Sequence, residues 1–237
     1  MVSDRMAEAL RKLGRGTEDL AAICAEALDA DGVAVSLVLE HNHTELVWSS
    51  GAASTYFEDL QFTLGEGPGP DAVRSGSVVM VHDLLRVSAE RWPALLPALD
   101  GHTVSTVCCF PLGIGAIRLG VLTVLRHPAR ALSPDEADDA LVLASTLTGM
   151  VLDGGMSGSR RDAPEPPRVL HRAVVHQATG MVSAQLEVPL AEALLRLRAH
   201  AYSHNRTVSE IAEDVVARRL RFHDDDTGLL PPAGKRG

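Results

Sequence analysis

Polar side chains suited to specific contacts collect in residues 168–223, which hold eight arginines against five acids and five of the ten histidines. Gln177, Thr179, Arg196, Arg198, His200, His204, Asn205, Arg206 and Thr207 supply donors, acceptors and cations there. Such a set fits hydrogen bonds and phosphate contacts to an RNA hairpin loop, whose unpaired bases are the usual targets of sequence-specific readers. The stretch carries +3 while the rest of the chain carries −12, within a total of −9. That surplus is small, and from charge alone ordinary solvated helix faces are the better account.

Other chemistry finds little support. No paired carboxylates, nucleophile–base pair or metal-ligand spacing stands out, so no catalytic residue, metal residue or cofactor is assigned and the chain is not read as an enzyme. Three cysteines, without a CxxC pair, fit a reducing compartment. Cys108 and Cys109 are adjacent in a predicted strand, so they face opposite sides and a vicinal disulfide would be strained; both, like Cys24, read as small core residues. Gly65-Glu66-Gly67-Pro68-Gly69-Pro70 invites a phosphate-loop reading. It lacks the GxGxxG spacing and a Lys-Ser/Thr pair, and its prolines remove amide donors, so a tight turn before a short helix at Asp71–Arg74 is expected. His41 and His43 sit at a hairpin tip, and His82 and His102 have no spacing that identifies a ligand site.

The elements that must position these residues follow from periodicity. With 237 residues and 46% apolar content, one medium domain plus a small one is expected. No apolar run of membrane-spanning length and no signal-peptide core is found, so a cytoplasmic protein without a membrane partner is expected. In residues 1–153, Thr17 caps an amphipathic helix carrying Leu20, Ile23, Cys24, Ala27 and Leu28. Val33–Glu40 and ELVWSS form a hairpin, and residues 55–64 are irregular or a short helix. SVVMVHDL is a strand and residues 91–99 a short helix. STVCCFPL and RLGVLTVLR flank a turn at Gly113-Ile114-Gly115. Ser133, Pro134 and Glu136 start a closing helix whose apolar residues include Ala137, Leu141, Ala144, Leu147 and Leu152. The whole is an antiparallel sheet with flanking helices, the first half of an α+β chain.

Residues 154–167 combine Gly, Ser and Pro without apolar periodicity and read as a linker. Beyond it, three helices form an all-α bundle over 168–223. The first shows Leu170, Val174, Ala178, Met181 and Val182 on one side, with Gly180 marking a close helix–helix approach. The second begins near Pro189 and carries Leu190, Ala193, Leu194, Leu197 and Ala201. Asn205-Arg206 makes a turn. Thr207 and Glu210 then form a capping box for a helix with Val208, Ile211, Ala212, Val215 and Val216 inward and Arg218, Arg219 and Arg221 at its end. Residues 224–237 read as a disordered acidic tail.

GVAVSLVL, LQFTLGEGPGPDAVRSGSVVMVHDL, CCFPLGIGAIRLGVLTVLR and SPDEADDALVLA resemble a GAF sensor domain, particularly those of actinobacterial regulators. The resemblance implies a sensor scaffold with a possible small-molecule ligand. It does not identify that ligand, and the Cys-His dipeptide common beside a bilin attachment site is missing. HQATGMV and LAEALLRLRAHAYSHNRTVSEIAEDVV resemble an ANTAR domain, the RNA-binding module of transcription antitermination regulators. Ala178, Gly180, Ala193, Leu197, Asn205-Arg206 and Ile211-Ala212 carry that likeness. Thr179 stands where the family often has Lys, and Ala184-Gln185 where it has Glu-Arg. The two resemblances together imply a regulator, expected as a homodimer, that presents paired bundles to tandem RNA hairpins in leader transcripts. Its RNA-binding residues would be Gln177, Thr179, Arg198, His204, Asn205, Arg206 and Thr207. The alternative is a small-molecule sensor signalling through protein contacts, with the bundle as its dimerisation element. Duplex DNA is disfavoured because Glu210, Glu213 and Asp214 occupy the outer side of the third helix.

Overall fold

The β-branched and apolar runs of the first 126 residues pair into one antiparallel sheet. In the computed structural model its strands are β1 (Gly32–Val38), β2 (Thr44–Ser49), β3 (Val79–Val81), β4 (Thr106–Ile114) and β5 (Ile117–Arg126), in the order β2-β1-β5-β4-β3. The described residues are 2–15, 19–39, 44–99, 104–154 and 172–223, and the chain divides into two compact units, residues 1–171 and 172–237. Thr17, His41, His43, His102, Leu170 and almost all of the linker lie outside the described residues, as does the tail.

Alternation along the strands gives the sheet two apolar faces. Val33, Val35, Cys108, Phe110, Leu122 and Val124 point toward α1 (Asp4–Arg15), α2 (Leu20–Ala27) and α6 (Pro134–Leu152). Val107, Cys109, Val121 and Leu125 point the other way, toward α3 (Ala52–Leu64), α4 (Pro68–Ser75), Trp92 and the short α5 (Leu95–Ala98) that follows it. All three cysteines are buried and free. Burial pushes the Cys24 thiol up to about 12 and the Cys108 thiol up to about 11, so neither is a thiolate at neutral pH.

The second face encloses a polar knot. Glu58, buried on α3, accepts hydrogen bonds from Ser36 Oγ at 2.7 Å, Thr123 Oγ1 at 2.8 Å and Gln61 Nε2 at 3.1 Å. Gln61 Oε1 in turn accepts from Gly69 N–H at 2.8 Å. Gly67 lies at φ 135°, and a Cβ there would stand 2.5 Å from Gln61 Oε1, so both the conformation and the space require glycine. The Gly-rich turn therefore directs an amide inward to Gln61, as a tight turn rather than a phosphate loop.

Several expectations are corrected. Helix α1 was not expected; its Met6, Ala9 and Leu13 are buried at i, i+3 and i+7, a pattern its charged residues obscured. Asp19 caps α2 through the N–H groups of Ala21 and Ala22, in the role expected of Thr17. Residues 52–64 are a regular helix, and α4 starts at Pro68, earlier than Asp71. Only Val79–Val81 of SVVMVHDL pairs, because Asp83 turns the chain by capping a 3₁₀ turn at Leu84–Arg86. β4 and β5 continue past Gly113, with a register shift between Leu112 and Gly113, and pair out to Ile114 and Ile117. Leu141 and Leu152 face outward on α6, where Ala140, Leu143 and Leu147 make the core.

The start of α6 is as expected, with a full capping box between Ser133 and Glu136. Glu136 also accepts a 2.9 Å bond from buried Arg126. Burial opposes the charge of Glu136, but the hydrogen bonds from Arg126 and Ser133 and the charges of Arg126 and Arg130 outweigh it and hold the carboxyl at about 2. A depressed carboxylate stabilises the fold fully above its ordinary pKa of 4.5 and progressively less as pH falls from there toward 2. Thermal melts of the N-terminal unit should lose stability across that window, and Glu136→Gln should flatten the loss. Superimposable acid profiles for the two proteins would contradict this account.

The second unit contains α7 (Ala173–Leu186), α8 (Leu190–Ser203) and α9 (Val208–Val216). Its core is Val175, Ala178, Val182, Ala193, Leu194, Leu197, Ala201, Val208, Ile211, Ala212 and Val215, with Phe222 packed behind. Val175, rather than Val174 or Met181, faces inward on α7, and Leu190 is exposed at the start of α8. Among the described residues no helix is long and apolar enough to cross a membrane, and no group of three or more His, Cys, Asp or Glu could hold a metal ion.

Candidate nucleic-acid interface

The α8–α9 turn is built by the backbone. Asn205 adopts the left-handed conformation at φ 52°, and Arg206 N–H reaches back to Ala201 O at 3.0 Å, closing α8. Thr207 then starts α9 through the expected capping box: its Oγ1 accepts from Glu210 N–H at 3.2 Å while Glu210 Oε2 accepts from Thr207 N–H at 2.8 Å. Ser203, His204, Asn205 and Arg206 are displayed as an exposed polar turn between two fixed helix ends.

Each expected residue has a definite place. His204 is exposed; its ring stacks on His200 at 4.0 Å and its Nδ1 lies 2.8 Å from His200 O, so in the neutral ring Nδ1 carries the proton and Nε2 is the acceptor. Asn205 is exposed. Arg206 donates to Asp214 Oδ2 at 2.8 Å and to Glu210 O at 3.2 Å. Asp214 also accepts from Arg219 at 2.7 Å, and these two guanidinium hydrogen bonds hold its carboxyl below the usual range. Arg206 is thus aimed by an acid that partly offsets its charge. Thr207 is committed to its cap, and Arg196 pairs with Glu192 at 2.8 Å.

Arg198 is half-buried, and burial, then the charge of nearby Arg172, lowers its guanidinium to about 10, which leaves it a cation at neutral pH. Gln177 is exposed on α7, a different helix from the turn. Thr179 is a correction: it lies inside the bundle, 8% exposed, with Oγ1 donating to Val175 O at 2.7 Å. A threonine in a helix can satisfy its hydroxyl on the preceding turn, so it fills a core position without a partner outside.

Gly180 is corrected too. It is exposed, and a Cβ built on it meets nothing within 4 Å, so it does not mark a close helix–helix approach in this bundle. Gly180→Ala should stabilise the isolated bundle by roughly 0.5–1 kcal/mol, seen as a higher melting temperature. A fall in melting temperature would show that the position is more constrained than its surroundings indicate. Two further exposed residues, Leu195 and Tyr202 on α8, lie outside the polar set. Their signal was present: seven residues apart, they lie on one stripe away from the Ala193/Leu194/Leu197/Ala201 core face.

The N-terminal unit has an open groove of about 720 Å³ beside edge strand β3, lined in part by Met80, His82, Arg86, Ser88 and Arg91. Arg86 pairs with Asp83 at 3.2 Å and Arg91 lies over the Trp92 ring at 4.4 Å. Cations are otherwise scarce in residues 1–153, which hold ten basic against twenty-one acidic side chains.

The GAF domain model matches residues 17–149 and the ANTAR domain model residues 168–216. No curated protein matches the chain. Among solved structures, the GAF domain of an Acinetobacter phosphoenolpyruvate-protein phosphotransferase is similar at 15% identity and TM-score 0.49, over 68% of this chain and 100% of that one. The corresponding Coxiella burnetii domain is similar at 16% identity and TM-score 0.49, over 64% of this chain and 96% of that one. A free methionine-R-sulfoxide reductase from Neisseria meningitidis is similar at 18% identity and TM-score 0.47, over 67% of this chain and 96% of that one. GAF domains are sensor modules and ANTAR domains RNA-binding antitermination modules, regulatory rather than catalytic. With more than half of its 237 residues matched, the chain belongs to the GAF domain family, and it carries an ANTAR domain C-terminal to the sensor.

Proposed function

We propose that this protein is a signal-responsive transcription antitermination regulator, acting as a homodimer whose C-terminal bundles hold tandem RNA hairpins so that a terminator does not form. The observation that carries this reading is the exposed polar turn Ser203–Arg206, fixed at both ends, in a segment with a basic surplus of three. Asn205 and His204 offer base-edge hydrogen bonds, Arg206 a phosphate contact, and Gln177 and Arg198 further contacts. Domain limits of 1–153 for the sensor, 154–167 for the linker and 168–223 for the bundle fit this division of labour. The signal is a small molecule taken by the sensor unit, and the open groove beside β3 is the candidate place for it.

Filter binding of the full chain to tandem-hairpin leader RNA and to scrambled RNA, at physiological salt, tests the reading. A clear preference for the hairpins is expected, with affinity falling as salt rises. Equal binding to both RNAs would overturn it. A second reading, the bundle as a protein-contact element, is favoured by the exposed Leu190 and Leu195 on α8. Light scattering decides that point: a dimer that becomes monomeric on Leu195→Ser, without any RNA preference in the native chain, would establish it.

A further inference from the structure

Most rings in this chain are structural. Phe57, Phe62, Phe110 and Trp92 lie in the sensor core at 4% exposure or less, and Trp48 packs against it. Of the Phe, Tyr and Trp side chains the bundle has two, and it buries only one. Phe222 is buried at 6% exposure and stands edge-on to His200, with centroids 5.3 Å apart, while Tyr202 is 62% exposed. Among the described residues no hydrogen bond ties the Tyr202 hydroxyl.

The position of Tyr202 is more telling than its exposure. It occupies the last turn of α8, and its carbonyl accepts from Asn205 N–H at 3.1 Å, so its backbone is part of the turn that displays His204, Asn205 and Arg206. One heptad earlier on the same stripe, Leu195 is 64% exposed, and Ala199 is exposed between them. Arg198, four residues before Tyr202, borders the same stripe. The result is a short exposed apolar stripe ending in a ring, next to hydrogen-bonding groups and cations.

We propose that Tyr202 is a stacking platform for an unpaired base of an RNA hairpin loop, with Leu195 and Ala199 as the apolar stripe beside it. This rests on the RNA-binding reading above and extends it to a residue outside the polar set. An aromatic side chain loses only two torsions on ordering and accepts any base face, while the turn beside it supplies the edge contacts that tell bases apart. The charge around the stripe favours this occupant over a second copy of the bundle. Residues 168–223 carry +3, a surplus that attracts an RNA backbone and repels a second copy of the bundle.

The test uses the full chain and a tandem-hairpin RNA whose loops have been selected from a random pool by the native protein. The RNA is labelled in turn at each loop position with 2-aminopurine. Tyr202→Phe should keep affinity within about twofold and keep the fluorescence quenching at one loop position. Tyr202→Ala should weaken binding by about tenfold or more and abolish that quenching, with the thermal melt unchanged. If no loop sequence is enriched over the starting pool, the RNA-binding reading fails and this proposal with it. If the native chain binds and Tyr202→Ala binds equally well, only the stacking proposal fails. Loss of affinity accompanied by a halved mass in light scattering would overturn it in favour of a contact between copies.

Discussion

Leu197→Ala is expected to unfold the C-terminal bundle at room temperature, abolish RNA binding and leave the sensor unit folded. Leu197 is fully buried on α8, among Ala193, Leu194 and Ala201 and the inward residues of α7 and α9. Removing a buried leucine side chain typically costs about 2–5 kcal/mol, the lost transfer free energy plus the cavity left behind. At roughly 0.05–0.15 kcal/mol per residue, a unit of about fifty residues has only ~3–8 kcal/mol to lose. The substitution therefore removes a large share of its stability, and all of it where the bundle stands at the lower end of that range. Helical circular dichroism should fall by the share of α7–α9, and limited proteolysis should cut the bundle while a sensor-sized fragment survives. A single cooperative melt with unchanged helix content would show that the bundle draws its stability from outside its own core.

Glu58→Ala is expected to destabilise the sensor unit by about 3–5 kcal/mol, more than any surface substitution in it. The carboxyl serves Ser36, Thr123 and Gln61 at once, so its removal leaves several buried donors facing a cavity. Gln61 is held between Glu58 and Gly69, so the Gly-rich turn before α4 should loosen as well. Glu58→Gln, which keeps the volume and one carbonyl acceptor, should cost distinctly less. Chemical denaturation of the sensor unit measures both variants. Equal, small effects would mean that the knot is not a source of stability.

Element types were more legible in the sequence than element faces. The hairpins, the Ser133 and Thr207 capping boxes and the three-helix bundle follow from local rules, because turn residues and caps act within four positions of themselves. Which side of a helix is buried depends on what lies above it. Leu141 and Leu152 on α6 are as apolar as Leu143 and Leu147, and only the sheet beneath decides between the pairs. Thr179 illustrates the same limit. Its hydroxyl makes it polar by type, yet the bond to Val175 O lets it enter the core. Gly180 errs in the opposite direction, since a missing side chain shows that space was left without showing what fills it. Arg206 lies in the turn that the Asn205-Arg206 pair indicates, but its tie to Asp214, eight residues away, appears only when α9 folds back past it. Tyr202 carries no charge, and its exposure becomes evident only once the Ala193/Leu197/Ala201 face of α8 is buried.

The paired cysteines of β4 join the two layers of the sensor unit. Cys108 belongs to the apolar face that packs α6, and Cys109 to the face that holds Trp92, Phe57 and the Glu58 knot. One peptide plane is all that separates them. β4 therefore contributes neighbouring residues to both layers of the sensor unit, and a substitution at this pair alters the packing of α6 or of the Glu58 side according to which of the two is changed.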